Sequence, residues 1–304
     1  MFKIHINDLR NATAKPRAQS TLAADLNAVG CFLISGCLDP ELVDRAHGAL
    51  ETLFSKSESE KTRCAADKQK HPLATGFSPY GVARALDTRL PNLLETWDIS
   101  PDQFNWPKDM IPEWQLLTEY QRSLYNVAIV ALEFVTIILG IDRRGLLGLV
   151  HPANGGIHFI HYFPVPREFP PGARRQSEHC DNTLVTLIPA PNPVSSGLAV
   201  FDRQKHCWED ILIQKDECLV QAGLLLERIT FRTIRANLHT VRNPQFGSPE
   251  NVSRFSTPFF LSPGKEVLLR ILPEFRSEIA LKEFPDIPVV EAQAGYFSKI
   301  FGKD

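Results

Sequence analysis

The chain has no paired-cysteine signature. Its six cysteines, at 31, 37, 64, 180, 207 and 218, include no CxxC pair and no dense framework. Over 304 residues that pattern excludes a disulfide-stapled scaffold and reads as reduced thiols in a cytoplasmic protein. An excess of charge is also missing. Lys and Arg number 33 against 35 Asp and Glu, a net charge of -2, and no long basic block appears, so a nucleic-acid partner has little electrostatic support. Met1-Phe2-Lys3-Ile4-His5 lacks an apolar signal-peptide core, so no secretory signal is expected and the Asn11-Ala12-Thr13 and Asn251-Val252-Ser253 sequons are expected to be idle. The most apolar run, Val127 to Ile141, is too short to span a bilayer and contains Glu133, so it reads as a buried helix and not a membrane anchor. Neither an internal repeat nor a low-complexity linker divides the chain.

What remains is ordinary globular composition, 43% hydrophobic and 22% charged, enough for one large core or two modest ones. The first half reads as helical and irregular. A helix is predicted over 21–29 and a short strand over Cys31 to Ser35. Asp39-Pro40 then opens a helix whose apolar face is Leu42, Val43, Ala46, Leu50 and Leu53. Residues 63–111 carry punctuation at Gly76, Pro79, Gly81, Pro91, Pro101 and Pro107 and read as irregular. A long helix follows from about Pro112 to Leu139, closed by Gly140.

After residue 150 the pattern changes to short strands between turn signals. Strands are predicted over 157–163, 183–189, 197–201, 209–213, 217–222, 225–230, 235–241 and 254–261. About eight strands of this length indicate an α+β, mainly β fold: a double-stranded β-helix, or jelly roll, flanked by helices from the N-terminal half. The expected organisation is a helical and irregular region over 1–150 packing on the core, a jelly-roll catalytic core over 151–265 and a C-terminal extension over 266–304, all one structural unit. A jelly-roll mouth suits a buried metal and a small ligand.

The chemistry begins at Glu178-His179-Cys180-Asp181. On an extended strand, residues i and i+2 share a face, so His179 and Asp181 can grip one metal ion while Cys180 points away. A metal site needs a third ligand, and the best candidate among the other histidines is His239, on a later predicted strand. Two His and one Asp form the facial triad of non-haem iron enzymes, with three positions open. In Arg254-Phe255-Ser256 a guanidinium and a hydroxyl again share a face and can hold one carboxylate together. The blander readings are a hydrogen-bonded strand pair for His179 and Asp181, a core histidine for His239 and a surface salt bridge for Arg254. His151, His158 and His206 read as surface or loop histidines, and Cys180 and Cys207 as inert buried thiols. Phe259 and Phe260 alternate, so one is expected to line the pocket and the other to pack outward.

His179-Cys180-Asp181, His239 and Arg254-Phe255-Ser256, in this order, resemble the iron(II)/2-oxoglutarate dioxygenases of the isopenicillin N synthase-like superfamily. Gly223 to Thr230 resembles the segment leading into the distal His, Arg254 to Pro263 the strand that anchors the oxo acid, and Val29 to Ile34 and Pro91 to Trp97 the N-terminal region. The resemblance covers roughly 20–265. Departures are Leu224, where the family usually has Asp, and Phe231-Arg232, where it usually has Asn-Gly, so the usual tight turn is not expected here. Ile160-His161-Tyr162-Phe163-Pro164 resembles the Asn-Tyr-Tyr-Pro element. Phe163 replaces the Tyr that often touches the distal carboxylate, leaving Arg254 and Ser256 as anchor with His161 as helper.

The resemblance implies iron(II) on His179, Asp181 and His239, with 2-oxoglutarate and dioxygen as co-substrates and ascorbate as an accessory reductant. It implies oxidation of a small molecule, amino-acid-derived or a specialised metabolite, by hydroxylation, desaturation or oxidative cyclisation. No nucleic-acid or membrane partner is expected, and the chain is expected to be a monomer or weak homodimer. Three alternatives share these residues: an isopenicillin N synthase-type oxidase that does not use 2-oxoglutarate, a zinc hydrolase with water in the open position, and a non-catalytic binder on the same fold.

Overall fold

The computed structural model describes residues 2–10, 23–68, 74–86, 88–99, 110–151, 154–195 and 197–301. The Asn11 sequon, Leu22, Pro101 and Pro107 lie outside them. The first half forms β1 (Lys3–His5), α1 (Ile6–Arg10), α2 (23–28), β2 (Cys31–Ser35), α3 (Pro40–Phe54), α4 (Glu58–Thr62), β3 (Gly76–Ser78), β4 (Leu94–Ile99), α5 (Trp114–Leu139) and α6 (Arg143–Leu147). The second half forms β5 (Gly155–Tyr162), β6 (Gln176–His179), β7 (Val185–Pro189), β8 (Leu198–Asp202), β9 (Cys207–Asp210), β10 (Glu217–Ala222), α7 (Leu224–Ile229), β11 (His239–Val241), β12 (Arg254–Ser256), β13 (Phe259–Leu261), β14 (Leu268–Leu269), α8 (Glu278–Glu283), β15 (Ile287–Pro288) and α9 (Val289–Phe301).

Two sheets face each other as a jelly roll. The major sheet runs β1-β2-β10-β7-β13-β5-β4-β3, with β12 also paired to β5, and the minor sheet runs β6-β11-β8-β9. Strand alternation then sorts the side chains. Phe32 and Ile34 of β2, Val220 of β10, Leu187 of β7 and Phe259 of β13 pack with α3 and α5 on the outer face of the major sheet. Their neighbours Cys31, Leu33, Leu219 and Ile188 point between the sheets and meet Leu198, Val200 and Val241.

The helices start and stop where their ends are satisfied. The Asp39 carboxylate accepts the Glu41 N–H at 3.0 Å, and Pro40 takes the first helical position of α3. α5 ends at Gly140, whose φ of +63° is a left-handed stop that costs glycine little. α5 is long and apolar enough to cross a bilayer. It serves as the core helix, with Leu117, Leu124, Ala128, Leu132 and Val135 buried against the sheet.

Several expectations change. Residues 225–230 are not a strand: α7 occupies Leu224–Ile229, because Leu, Glu and Arg are strong helix formers and Leu225, Leu226 and Ile229 recur at helical spacing toward the core. The predicted 254–261 strand is two, interrupted at Thr257-Pro258, since Pro258 cannot donate to the ladder. The irregular stretch contains β3 and β4; buried Glu95 and partly buried Asp98 disguise β4, because acidic residues are poor strand markers. The first half therefore supplies strands β1 to β4 to the major sheet as well as covering it with helices.

Phe231 and Arg232 do make a tight turn. Both have positive φ (44° and 62°), and the Thr233 N–H closes it on the Thr230 carbonyl at 3.0 Å. Arg232 is held there by Glu283 at 2.5 Å and by the Phe284 ring, contacts that replace the conformational ease of Asn-Gly. Cys207 is exposed, not buried. The Asn251 amide is engaged on both sides with the Val165 backbone.

Candidate active site

His179 closes β6 and His239 opens β11, and antiparallel pairing sets the two directly opposite each other. Opposed side chains on neighbouring strands are in contact range, and the imidazole centroids are 4.2 Å apart. β6 stops at His179, so Asp181 arrives from the turn beyond the strand instead of from the same strand face. Even so, one donor atom from each of His179, Asp181 and His239 lies within 4.8 Å of the others. Cys180 points away, toward the Ala236 carbonyl, and burial pushes its thiol up to about 12.

Hydrogen bonds orient both rings. His179 Nδ1 donates to the Ser177 carbonyl at 2.8 Å, and His239 Nδ1 to the Asn237 carbonyl at 3.3 Å. The proton is thereby held on Nδ1 and Nε2 is left basic. His179 Nε2 lies 3.4 Å from Asp181 Oδ1. Asp181 Oδ2 is buried with no hydrogen-bond partner among the described residues. Burial favours a neutral Asp181 carboxyl, yet the facing His239 and His179 and a hydrogen bond from Thr186 hold it well below the usual carboxylate range. Burial, then the neighbouring His179, lowers His239 to about 4, so its imidazole is neutral at pH 7. Two imidazoles that each present Nε2, and a carboxylate with an orphaned buried oxygen, fit a divalent iron-type ion.

The backbone around Asp181 is held from below. The Leu224 N–H donates to the Asp181 carbonyl at 2.8 Å and the Gly223 N–H to the Leu184 carbonyl at 2.9 Å. A Cβ on Gly223 would sit 2.2 Å from the Thr183 carbonyl oxygen, so glycine is required by close approach. The first contact explains why Leu suffices at 224: its backbone, not its side chain, serves the site. From the other side α9 clamps the same turn. The Tyr296 hydroxyl donates to the Cys180 carbonyl, and Asn182 Nδ2 to the Ala292 carbonyl at 3.0 Å.

A cavity of about 520 Å³ opens on the three residues, and Arg254 and Ser256 line it. β12 registers on β5 so that Arg254 faces Tyr162 and Ser256 faces Ile160. Arg254 is 2% exposed, with its guanidinium carbon 5.1 Å from the Tyr162 ring centroid. Its Nε has no partner among the described residues, and burial lowers its affinity for its proton. A buried guanidinium with an unused N–H suits a carboxylate.

His161 is not brought to this cavity. It lies one residue out of phase, on the opposite face of β5, between Glu95 Oε1 at 2.8 Å and Ser253 Oγ at 3.1 Å, with its ring stacked on Phe255. Phe163 shares that face, packing on His161, so its missing hydroxyl takes nothing from the cavity. Two residues passed over in the sequence do line it. Tyr162 is there because parity from Ile160 points it inward, and that period-2 signal was available. His158, read above as a surface or loop residue, lies on the same inward row. Phe260 lines the cavity and Phe259 packs outward, as alternation predicts.

A model of the 2OG-Fe(II) oxygenase superfamily matches residues 154–263. The chain is similar to the 2-oxoglutarate-dependent dioxygenase ecdK of Aspergillus rugulosus, 27% identical over 66% of this chain and 66% of that one. It is also similar to kihadalactone A synthase LFS of Citrus sinensis, 24% identical over 94% of this chain and 89% of that one. It shares the fold of a full-length Neurospora crassa protein solved in complex with alpha-KG, with a TM-score of 0.83, 18% identity, and coverage of 97% of this chain and 95% of that one. A putative 2OG-Fe(II) oxygenase family protein of Caulobacter crescentus gives 0.80 at 23% identity, covering 98% of each chain. The matched segment begins at β5 and ends just past β13, so it contains His161, His179, Asp181, His239, Arg254 and Ser256, and over that segment the chain resembles the 2OG-Fe(II) oxygenase superfamily.

Proposed function

We propose that this oxygenase holds iron(II) on His179, Asp181 and His239 and 2-oxoglutarate on Arg254 and Ser256, and oxidises a small molecule by hydroxylation, desaturation or oxidative cyclisation. The observation that carries the reading is the shared orientation of the two imidazoles: each commits Nδ1 to a carbonyl, so each Nε2 is the available donor beside an unpartnered Asp181 oxygen. Iron bound there supplies activation of dioxygen coupled to decarboxylation of 2-oxoglutarate to succinate.

The chain's own share is positioning. His179 and His239 would bind the metal as neutral imidazoles and Asp181 as a carboxylate that balances its charge. Arg254 and Ser256 take the far carboxylate of the oxo acid, and Tyr162 steadies the guanidinium. The sheets and α9 wall the cavity. An amino-acid-derived or specialised metabolite is the substrate class favoured here, supported by relatives named kihadalactone A synthase and azadirone synthase. The six cysteines form no disulfide among the described residues, which supports a reducing, cytoplasmic setting.

His239→Ala should abolish iron binding and turnover together. Iron titration and substrate-dependent release of succinate and carbon dioxide test this. A fully active variant refutes the ligand set, and turnover without succinate refutes the use of 2-oxoglutarate.

A further inference from the structure

The cavity has a second polar pole that the iron and 2-oxoglutarate do not account for. On the inward row of β5, Tyr162 and His158 are four residues apart, roughly 13 Å along the strand. Tyr162 marks the Arg254 end. His158 marks the other, where it stands opposite Asp98 of β4. Lys68 completes the group, with Nζ 2.7 Å from Asp98 Oδ2. All three line the cavity.

Charge and hydrogen bonding fix what this pole offers. Asp98 Oδ1 bonds His158 Nδ1, so the imidazole proton is on Nδ1. The Lys68 ammonium already balances the Asp98 carboxylate, and burial lowers that ammonium only to about 8, so it stays charged at neutral pH. A second positive charge on the ring is therefore unfavourable. Burial, followed by the Lys68 charge, lowers His158 to about 3. A neutral ring with Nδ1 committed presents Nε2 as a bare acceptor. That nitrogen has no partner among the described residues, while the ring leans on Phe260, 5.6 Å between centroids. Ile99, Phe297 and Ile300 add apolar surface to the cavity.

Resting on the oxygenase reading of this cavity, we propose that His158 Nε2 is the specificity acceptor of the site: the substrate is a neutral, largely apolar molecule that donates one hydroxyl or N–H hydrogen bond to it. Lys68 and Asp98 act as positioning residues that hold the tautomer. The pole carries no net charge, so it selects a donor and not an anion.

The test uses 2-naphthol and 2-methoxynaphthalene, one apolar body with and without the donor. Binding is measured by calorimetry under argon on protein given iron(II) and 2-oxoglutarate. Wild type should bind 2-naphthol about tenfold more tightly than its methyl ether. His158→Phe should reduce the preference to about twofold or less, while His158→Gln, which keeps an acceptor, should retain most of it. Side-chain nitrogen NMR of the zinc-loaded protein should show His158 neutral with its proton on Nδ1. No preference in wild type, a preference surviving in His158→Phe, binding of neither probe, or a protonated His158 at pH 7.5 each overturns the assignment. The visible charge-transfer absorption of bound iron and 2-oxoglutarate is recorded first. Its absence refutes the metal reading separately, and the naphthol comparison is then read on the metal-free protein.

Discussion

His47 offers the sharpest test of the fold's energetics. It sits on α3, 2% exposed, and neither ring nitrogen has a hydrogen-bond partner among the described residues. Burial dominates its environment, Arg254 and Lys215 oppose protonation and Asp44 only partly favours it, so it falls from 6.5 to about 4. The unfolded chain therefore takes up this proton before the folded one does. Stability from a neutral His47 is fully present above pH 6.5 and is lost as pH falls toward 4. At about 1.4 kcal/mol per pH unit, the loss reaches about 2 kcal/mol at pH 5 and about 3 kcal/mol at pH 4. His47→Leu removes both the proton and two unsatisfied nitrogens. It should be about 1 kcal/mol more stable than wild type at pH 7.5, and the gap should widen by those amounts on acidification. Urea unfolding of both proteins from pH 4 to 8 measures the gap, and groups common to both cancel. Parallel stability curves would show that His47 is solvated or partnered in the folded protein and refute the argument.

The Lys61–Glu95 pair, 2.8 Å apart, is buried on both sides. Glu95→Leu, which leaves the ammonium only the exposed Glu58 at 2.7 Å and also frees His161, should cost about 2–3 kcal/mol in urea unfolding, and the double change with Lys61→Met distinctly less. Gly223→Ala should push Thr183 and the Asp181 turn aside and weaken iron binding about 10–100-fold by metal titration, with an unchanged affinity counting against the proposed support. Tyr162→Phe should raise the 2-oxoglutarate KM several-fold while leaving the iron affinity intact, since the hydrogen bond between the Tyr162 hydroxyl and the Arg254 guanidinium is lost. An unaltered KM would mean that Arg254 needs no such partner.

Much of the site was legible because it is written at fixed offsets. His179 and Asp181, and Arg254 and Ser256, are two residues apart, and the order of the motifs along the chain survives whatever the loops do. Caps were legible for the same local reason: Asp39-Pro40 and Gly140 mark helix ends by chemistry within a few residues. Where local signals conflicted with burial, they misled. The apolar run after Gly223 looked like a strand and is a helix, and β4 was hidden by acidic residues that the interior pairs off.

By itself the sequence determined which donor groups exist, their spacing and the alternation that gives each strand two faces. Closure of the two sheets decided which of those faces became an interior. That choice is not local, because a strand's parity acquires meaning only once a second sheet encloses one side of it. It turned His161 and Phe163, at odd positions, outward and His158 and Tyr162, at even positions, inward, on opposite sides of the wall. It also brought Gly223 under Asp181 and α9 over it, contacts between segments that no offset connects.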